Sequence, residues 1–282
     1  MMKKLKIIMM LALLHPLATQ AAERIISAGA GITELVLELG GKEQLIAIDS
    51  TSRLPEGENL PVVGYHRQLS SEGLLSLKPT LLLGSDEMGP ATTLEQLQKA
   101  GVKVSPLSSR ADTATLLQNI RQTGALLGNP DGARELEGRV TGRIDALSLG
   151  SKQLDAAPRL LYLMIHPGRP PMVAGGNTAA STLITLAGGQ NPAENLSNYQ
   201  ILNLESLLAM KPDGILVSQR SLKQDPQLLA HALPQIAQHP DLLKLPVYAV
   251  SGQALIGGLN LSTLAEAERL QQQLLSGGQK EP

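Results

Sequence analysis

Glu72-Gly73-Leu74-Leu75-Ser76-Leu77-Lys78-Pro79-Thr80-Leu81-Leu82-Leu83-Gly84-Ser85 returns later in the chain as Glu205-Ser206-Leu207-Leu208-Ala209-Met210-Lys211-Pro212-Asp213-Gly214-Ile215-Leu216-Val217-Ser218. Each copy reads as a short helix ended by Lys-Pro, because proline lacks the N–H that a continuing helix needs. The apolar run after each proline shows no alternation, the pattern of a strand buried on both faces of a parallel sheet. A second pair of similar segments lies upstream. Leu35, Val36 and Leu39 stand at helical spacing before Gly40-Gly41, as Leu183, Ile184 and Ala187 stand before Gly188-Gly189, and each glycine pair is a natural helix stop.

Downstream of each copy a helical stretch leads to another strand, at Val102-Lys103-Val104 and at Val247-Tyr248-Ala249-Val250. Strand–helix–strand occurring twice predicts two α/β lobes, each Rossmann-like with a parallel sheet. The segment between the copies is poor in strand formers and rich in Ala, Leu, Arg and Glu. Within it, residues 131–149 predict one long helix despite three interior glycines, and Pro158 introduces the second lobe's first strand at residues 159–165. The expected organisation is a leader at 1–21, an N-terminal lobe at 22–125, an inter-lobe helix at 126–157 and a C-terminal lobe at 158–282. A single stiff helix joins the lobes, and the ligand cleft lies between them.

The first residues predict export. Met1-Met2-Lys3-Lys4-Leu5-Lys6 is a basic start, residues 7–14 are an apolar run too short to span a bilayer, and Thr19-Gln20-Ala21-Ala22 supplies small residues for cleavage after Ala21 or Ala22. No later stretch is long and apolar enough to cross a membrane. Loss of Lys3, Lys4 and Lys6 takes the net charge from −1 to −4, mildly acidic and without a basic stripe, which argues against nucleic acid as a partner. The absence of cysteine excludes disulfides, thiolate metal sites and a lipobox anchor. About 260 remaining residues exceed one ordinary hydrophobic core. The chain has no Phe, no Trp and four Tyr. Tyr162 and Tyr248 sit in apolar strand-like runs, whereas Tyr65 and Tyr199 sit in polar, loop-like surroundings.

The sequence resembles the class III (helical-backbone) periplasmic binding proteins, which serve cobalamin, ferric siderophores and haem. Ser27-Ala28-Gly29-Ala30-Gly31-Ile32-Thr33-Glu34-Leu35 is similar to that family's opening strand and helix. Ala174-Gly175-Gly176-Asn177-Thr178-Ala179-Ala180 and Ala187-Gly188-Gly189-Gln190-Asn191 are similar to the opening of its second lobe. Gly64-Tyr65-His66-Arg67-Gln68-Leu69-Ser70-Ser71-Glu72-Gly73 most resembles the haemin-binding components of haem importers. The resemblance implies a periplasmic, monomeric, non-enzymatic protein that captures ferric haem, with an outer-membrane haem receptor upstream. Downstream it implies an inner-membrane ABC permease and its ATPase. It makes Tyr65 the axial iron ligand, Arg67 the cation that steadies the phenolate, and Glu72 and Glu205 the permease-docking acids.

Residue chemistry agrees with parts of this reading. A phenolate is a hard anionic donor suited to Fe(III), and a tyrosine with an ordinary pKa of ~10 needs the metal and a nearby cation to ionise. Extended backbone turns His66 away from wherever Tyr65 faces. His166 follows an apolar run at the carboxyl end of the second lobe's first strand, where ligands of open α/β sheets bind, and is the expected second-lobe iron ligand. Arg169 lies close to it as a candidate partner for a propionate. Tyr199 precedes Glu205 by six residues as Tyr65 precedes Glu72 by seven, which puts it near the cleft from the opposite lobe. His231 and His239 are expected at the surface, and Glu72 and Glu205 equally suit helix N-termini as acids.

Other classes fit less well. A ferric siderophore or cobalamin remains the alternative cargo, although a chain without Phe or Trp offers no broad aromatic wall. A zinc or manganese carrier needs about three histidines and a carboxylate, and the histidines here are not clustered. No Gly-x-Ser-x-Gly elbow or His-Glu-x-x-His helix marks a hydrolase. Gly29-Ala30-Gly31 begins a dinucleotide fingerprint, but Glu34 stands where the third glycine belongs.

Overall fold

The computed structural model describes residues 23–277, so the expected leader lies outside the described residues. The first lobe opens with β1 (Ile25–Ala28), every residue of which is buried. It continues through α1 (Ala30–Glu38), β2 (Leu45–Ile48), α2 (Ser71–Ser76), β3 (Leu81–Ser85), α3 (Ala91–Lys99) and β4 (Lys103–Leu107). The sheet order is β2-β1-β3-β4 with every pairing parallel. Burial on both faces explains the uninterrupted apolar runs of β1 and β3.

α4 (Thr113–Leu126) leads to the long helix α5 (Pro130–Ser151), started by Pro130 and by the Asn129 side chain, which accepts from Gly132 N at 3.0 Å. Ala133, Leu136, Val140 and Leu147 form its buried stripe, while Gly138 and Gly142 face open space. The glycines therefore weaken the helix intrinsically without disturbing the packing that holds it.

The second lobe runs through β5 (Leu160–Met164), β6 (Met172–Ala174), α6 (Ala179–Leu186), β7 (Tyr199–Ile201), α7 (Leu204–Met210) and β8 (Gly214–Ser218). It closes with α8 (Gln219–Gln224), α9 (Leu228–Ala232), α10 (Pro240–Leu243), β9 (Val247–Val250) and α11 (Leu261–Leu275). Its sheet order is β7-β6-β5-β8-β9. The expected parallel sheet is present as β5-β8-β9, and β6 and β7 extend it in antiparallel fashion. These two strands have three residues each, too short to show a pattern in sequence.

The duplication is visible in detail. Lys78 and Lys211, which precede the matched prolines, both adopt left-handed backbone with φ of 49° and 44°. The helices before them end on carbonyls that receive an arginine from the start of each lobe. Arg24 Nη2 donates to Leu77 O at 2.8 Å and Nε to Lys78 O at 2.9 Å. Arg159 donates to Met210 O from Nη2 at 2.7 Å and to Lys211 O from Nε at 3.1 Å. Even the neighbouring main-chain contact repeats: Arg24 N donates to Thr80 Oγ1 and Arg159 N to Asp213 Oδ2, at 2.9 and 2.8 Å.

α5 is the long covalent crossover that the sequence leads one to expect, and α11 reinforces it. One hydrophobic cluster runs from Leu35 and Ile120 of the first lobe through Val140 and Leu147 of α5 to Leu183, Leu264 and Leu270 of the second. Arg143 of α5 meets Glu268 of α11 in a bidentate pair at 2.7 and 2.9 Å. Glu34 of α1 receives the backbone N–H of Ser262, at the start of α11, at 3.2 Å. A shared core and these cross-links make relative motion of the lobes costly. No described helix is long and apolar enough to cross a membrane.

Candidate functional site in the cleft between the lobes

The carboxyl ends of both parallel sheets feed the loops that face each other across the cleft. In the first lobe the chain leaves β2, returns beside it at Val62, and turns at Gly64. Gly64 has φ of 90°, a conformation that side chains resist. The loop is tied on three sides: Ser50 N donates to Gly64 O at 2.8 Å, Gln68 N to Tyr65 O at 2.8 Å and Gly89 N to His66 O at 3.0 Å. Tyr65 is extended, with φ −81° and ψ 131°, and His66 begins a 3-10 turn. The two side chains therefore differ in exposure while their rings stay in contact. Tyr65 is 40% exposed and lines the cleft, whereas His66 is buried.

A buried polar chain holds the loop from beneath. His66 Nδ1 lies 2.9 Å from Asp49 Oδ2, Ser52 Oγ donates to Asp49 Oδ1 at 2.6 Å, and Thr51 Oγ1 donates to Oδ2 at 2.7 Å. Ser52 in turn meets Thr33, which meets Ser27, both at 2.7 Å. Burial alone would raise the Asp49 pKa. The hydrogen bonds from His66, Ser52, Thr51 and the backbone of Gly29 outweigh it and hold Asp49 down at about 2. The His66 ring packs edge-on against Tyr65, centroids 4.6 Å apart. Nothing in the spacing of these residues marked Asp49, because its partners converge only in the folded chain.

Tyr65 and Arg67 line a 530 Å³ cavity whose opposite wall carries Tyr199 of β7. Arg67 is ion-paired with Glu87 on the same rim. Its guanidinium pKa is raised mainly by that hydrogen bond, with the charge of Tyr65 adding to it. Tyr199 packs edge-on against buried Tyr162 at 6.4 Å. Burial pushes its hydroxyl up to about 12, and that of Tyr162 up further. Burial thus disfavours both as phenolates, and of Tyr65 and Tyr199, the tyrosines expected near the ligand, it leaves Tyr65. Tyr65 is the one open to solvent.

A larger cavity of 770 Å³ adjoins the first, the two meeting at Ile256. His166 lines it from the exposed loop after β5, and Arg220 lines it from the start of α8, at the carboxyl end of neighbouring β8. The loop after β9 forms the seam between the lobes. Gln253 Nε2 donates to Thr51 O at 2.7 Å, and its Oε1 accepts from Arg53 Nε at 2.7 Å. Gly257 and Gly258 have φ of 80° and 85°, and a side chain at Gly258 would run into the Ser109 carbonyl of the first lobe.

The structure does not bring Arg169 to either cleft cavity. Arg169 lines a 370 Å³ pocket that adjoins the larger cavity along Ile165, His166, Pro167, Ser221 and Gln224; His231 lines the same pocket, and the Arg169 N–H donates to His166 O at 3.2 Å. His231 is exposed and bonded to Asp225 at 2.7 Å. Glu72 and Glu205 are both exposed second residues of short helices, α2 and α7. These helices are capped by Ser70 and Asn203, which accept from Gly73 N at 3.4 Å and Ser206 N at 2.8 Å. No group of three or more metal-ligating His, Asp or Glu side chains occurs among the described residues.

Comparison with known proteins places this architecture. The family model described as periplasmic binding protein matches residues 25–238, most of the chain. The chain belongs to that family. Among solved structures, this periplasmic binding protein is 42% identical to the periplasmic haem-binding protein HutB of Vibrio cholerae, with a TM-score of 0.84 over 90% of this chain and 99% of that one. It is 31% identical to a periplasmic haem-binding protein from Pseudomonas aeruginosa, with a TM-score of 0.79 over 92% and 95%. A curated relative, the vitamin B12-binding protein of Yersinia pseudotuberculosis, is 26% identical over 81% of each chain.

Proposed function

We propose that this protein captures ferric haem in the periplasm and hands it to an inner-membrane ABC permease with its ATPase. Tyr65 is the axial oxygen donor from the first lobe and His166 the nitrogen donor from the second. The observation that carries the reading is the position of Tyr65: exposed at the mouth of a cleft cavity, on a loop braced from below by Asp49 and His66. A rigidly held, solvent-accessible phenol beside a cation is a donor well suited to ferric iron. The solved haem-binding proteins at 42% and 31% identity support the cargo.

Binding without chemical change is the whole of the activity. Arg67, paired with Glu87, lends its charge to a Tyr65 phenolate as well, and Tyr199 supplies a wall for the porphyrin. Glu72 and Glu205, one at the same place in each lobe, meet basic sites on the permease. The adjoining cavities, one lined by Tyr65 and the other by His166, give room for two porphyrins with their apolar faces hidden from water. An absorption titration of the mature protein with haemin, and separately with cyanocobalamin, tests the cargo. A Soret shift with haemin and no response to cyanocobalamin is expected. The reverse would assign the protein to cobalamin.

A further inference from the structure

The arginines of this chain fall into three groups. Seven of them, Arg67, Arg110, Arg121, Arg134, Arg139, Arg143 and Arg269, pair with a carboxylate. Arg24 and Arg159 cap helix ends. The remaining three, Arg53, Arg169 and Arg220, have no carboxylate within 4.0 Å among the described residues. Two of these line the 770 Å³ cavity: Arg53 from the first lobe and Arg220 from the second.

That cavity carries no Asp or Glu on its walls, although the protein as a whole is acidic. Arg53 spends only its Nε, on Gln253, out of five N–H donors. Glu34 lies across a smaller neighbouring pocket from Arg53 and is committed to Ser262. Met164, Ile165 and Ile256 supply the apolar part of the same cavity. Both guanidinium groups are exposed on the lining of one cavity with donors to spare, and such groups bind carboxylates in charge-assisted, often bidentate hydrogen bonds. The complement is a ligand with an apolar body and two separate anionic groups.

We infer that Arg53 and Arg220 together receive two carboxylates of the bound ligand, one from each lobe. The inference rests on the haem reading, in which the carboxylates are the two propionates of the haem in the cavity that His166 lines. It makes these arginines specificity-determining: they select a dicarboxylate porphyrin over a neutral one, through its carboxylates rather than through its iron. Gln253, which holds Arg53 and Thr51 at once, fixes the first-lobe guanidinium at the seam.

Binding of haemin and of haemin dimethyl ester to the wild type, Arg53→Gln, Arg220→Gln, Arg220→Lys and the double Gln variant tests this. The wild type should prefer haemin to its ester. Each Gln substitution should weaken haemin binding by about tenfold, leave ester binding and the iron-ligand spectrum unchanged, and Arg220→Lys should recover part of the loss. Unchanged ester binding also shows that the variants fold. A double variant that binds haemin as tightly as the wild type overturns the inference, and so does an equal loss for haemin and ester. A wild type that binds neither porphyrin overturns the haem reading itself.

Discussion

Arg159 grips the end of α7 as Arg24 grips the end of α2: each sends its guanidinium to the last helix carbonyls, at 2.7 and 2.8 Å, from the residue before its lobe's first strand. Helix C-termini leave carbonyls unpaired and carry negative partial charge, so a cation there is doubly favoured. The contact ties the Lys-Pro turn to the sheet at the same point in both lobes.

Loss of this clamp should cost more in the second lobe, where Arg159 is half-buried and its contacts are partly screened from water, than in the first, where Arg24 is exposed. Arg159→Ala is expected to lower stability by about 1–2 kcal/mol and Arg24→Ala by less. Urea midpoints of the two variants check the order. Equal midpoints would contradict that order, and midpoints equal to the wild type's would mean that the guanidinium contacts add nothing to the strand–helix packing.

Acid should reveal Asp49. Its carboxyl ionises at about 2 in the folded protein against 3.8 ordinarily. In that window the unfolded chain binds more protons, so the stabilisation, about 2 kcal/mol, is complete above 3.8 and is lost as pH falls toward 2. The stability gap between wild type and Asp49→Asn is expected to narrow from about pH 5 to pH 3. A gap that stays constant would show that the hydrogen bonds to Asp49 do not depend on its charge.

The Lys-Pro repeat made β3, β8 and the two-lobe plan legible, because buried parallel strands write themselves as unbroken apolar runs. Residues 131–149 likewise announced α5. Strands β6 and β7 escaped notice for want of length; α11 escaped it as well, and its bridging of α1, α5 and α6 is a tertiary fact. At the site, the part carried by local sequence was readable: Tyr65 outward, His66 inward, His166 at a strand end. Asp49, Arg53, Arg220 and Gln253 were not, since what distinguishes them is which groups they meet, or fail to meet, across the fold. Arg169, close to His166 in sequence, lines with it the pocket that adjoins the larger cavity rather than that cavity itself.

Reversal of charge at the two matched acids should separate binding from delivery. Glu72→Lys with Glu205→Lys is expected to abolish haem uptake in cells while haemin binding by the purified protein stays as it was, because both residues are exposed and neither lines the cleft cavities. Normal uptake would reduce both residues to acids that favour helix N-termini.

The adjoining cavities make a prediction about stoichiometry. Tyr65 lines one and His166 the other, so haemin should titrate to two equivalents in the wild type and to one in His166→Ala, with the phenolate spectrum kept. One equivalent in both proteins, with unchanged spectra, would remove His166 from the site.

The central claim is that the Tyr65 oxygen binds ferric iron, and the visible spectrum of haemin-loaded Tyr65→Phe tests it most directly. The substitution removes one oxygen from an exposed ring whose loop is held by backbone bonds and by the Asp49–His66 pair, so the fold should be unaffected. The account predicts loss of the high-spin ferric-phenolate spectrum and weaker haemin binding. A spectrum and affinity identical to those of the wild type would contradict it.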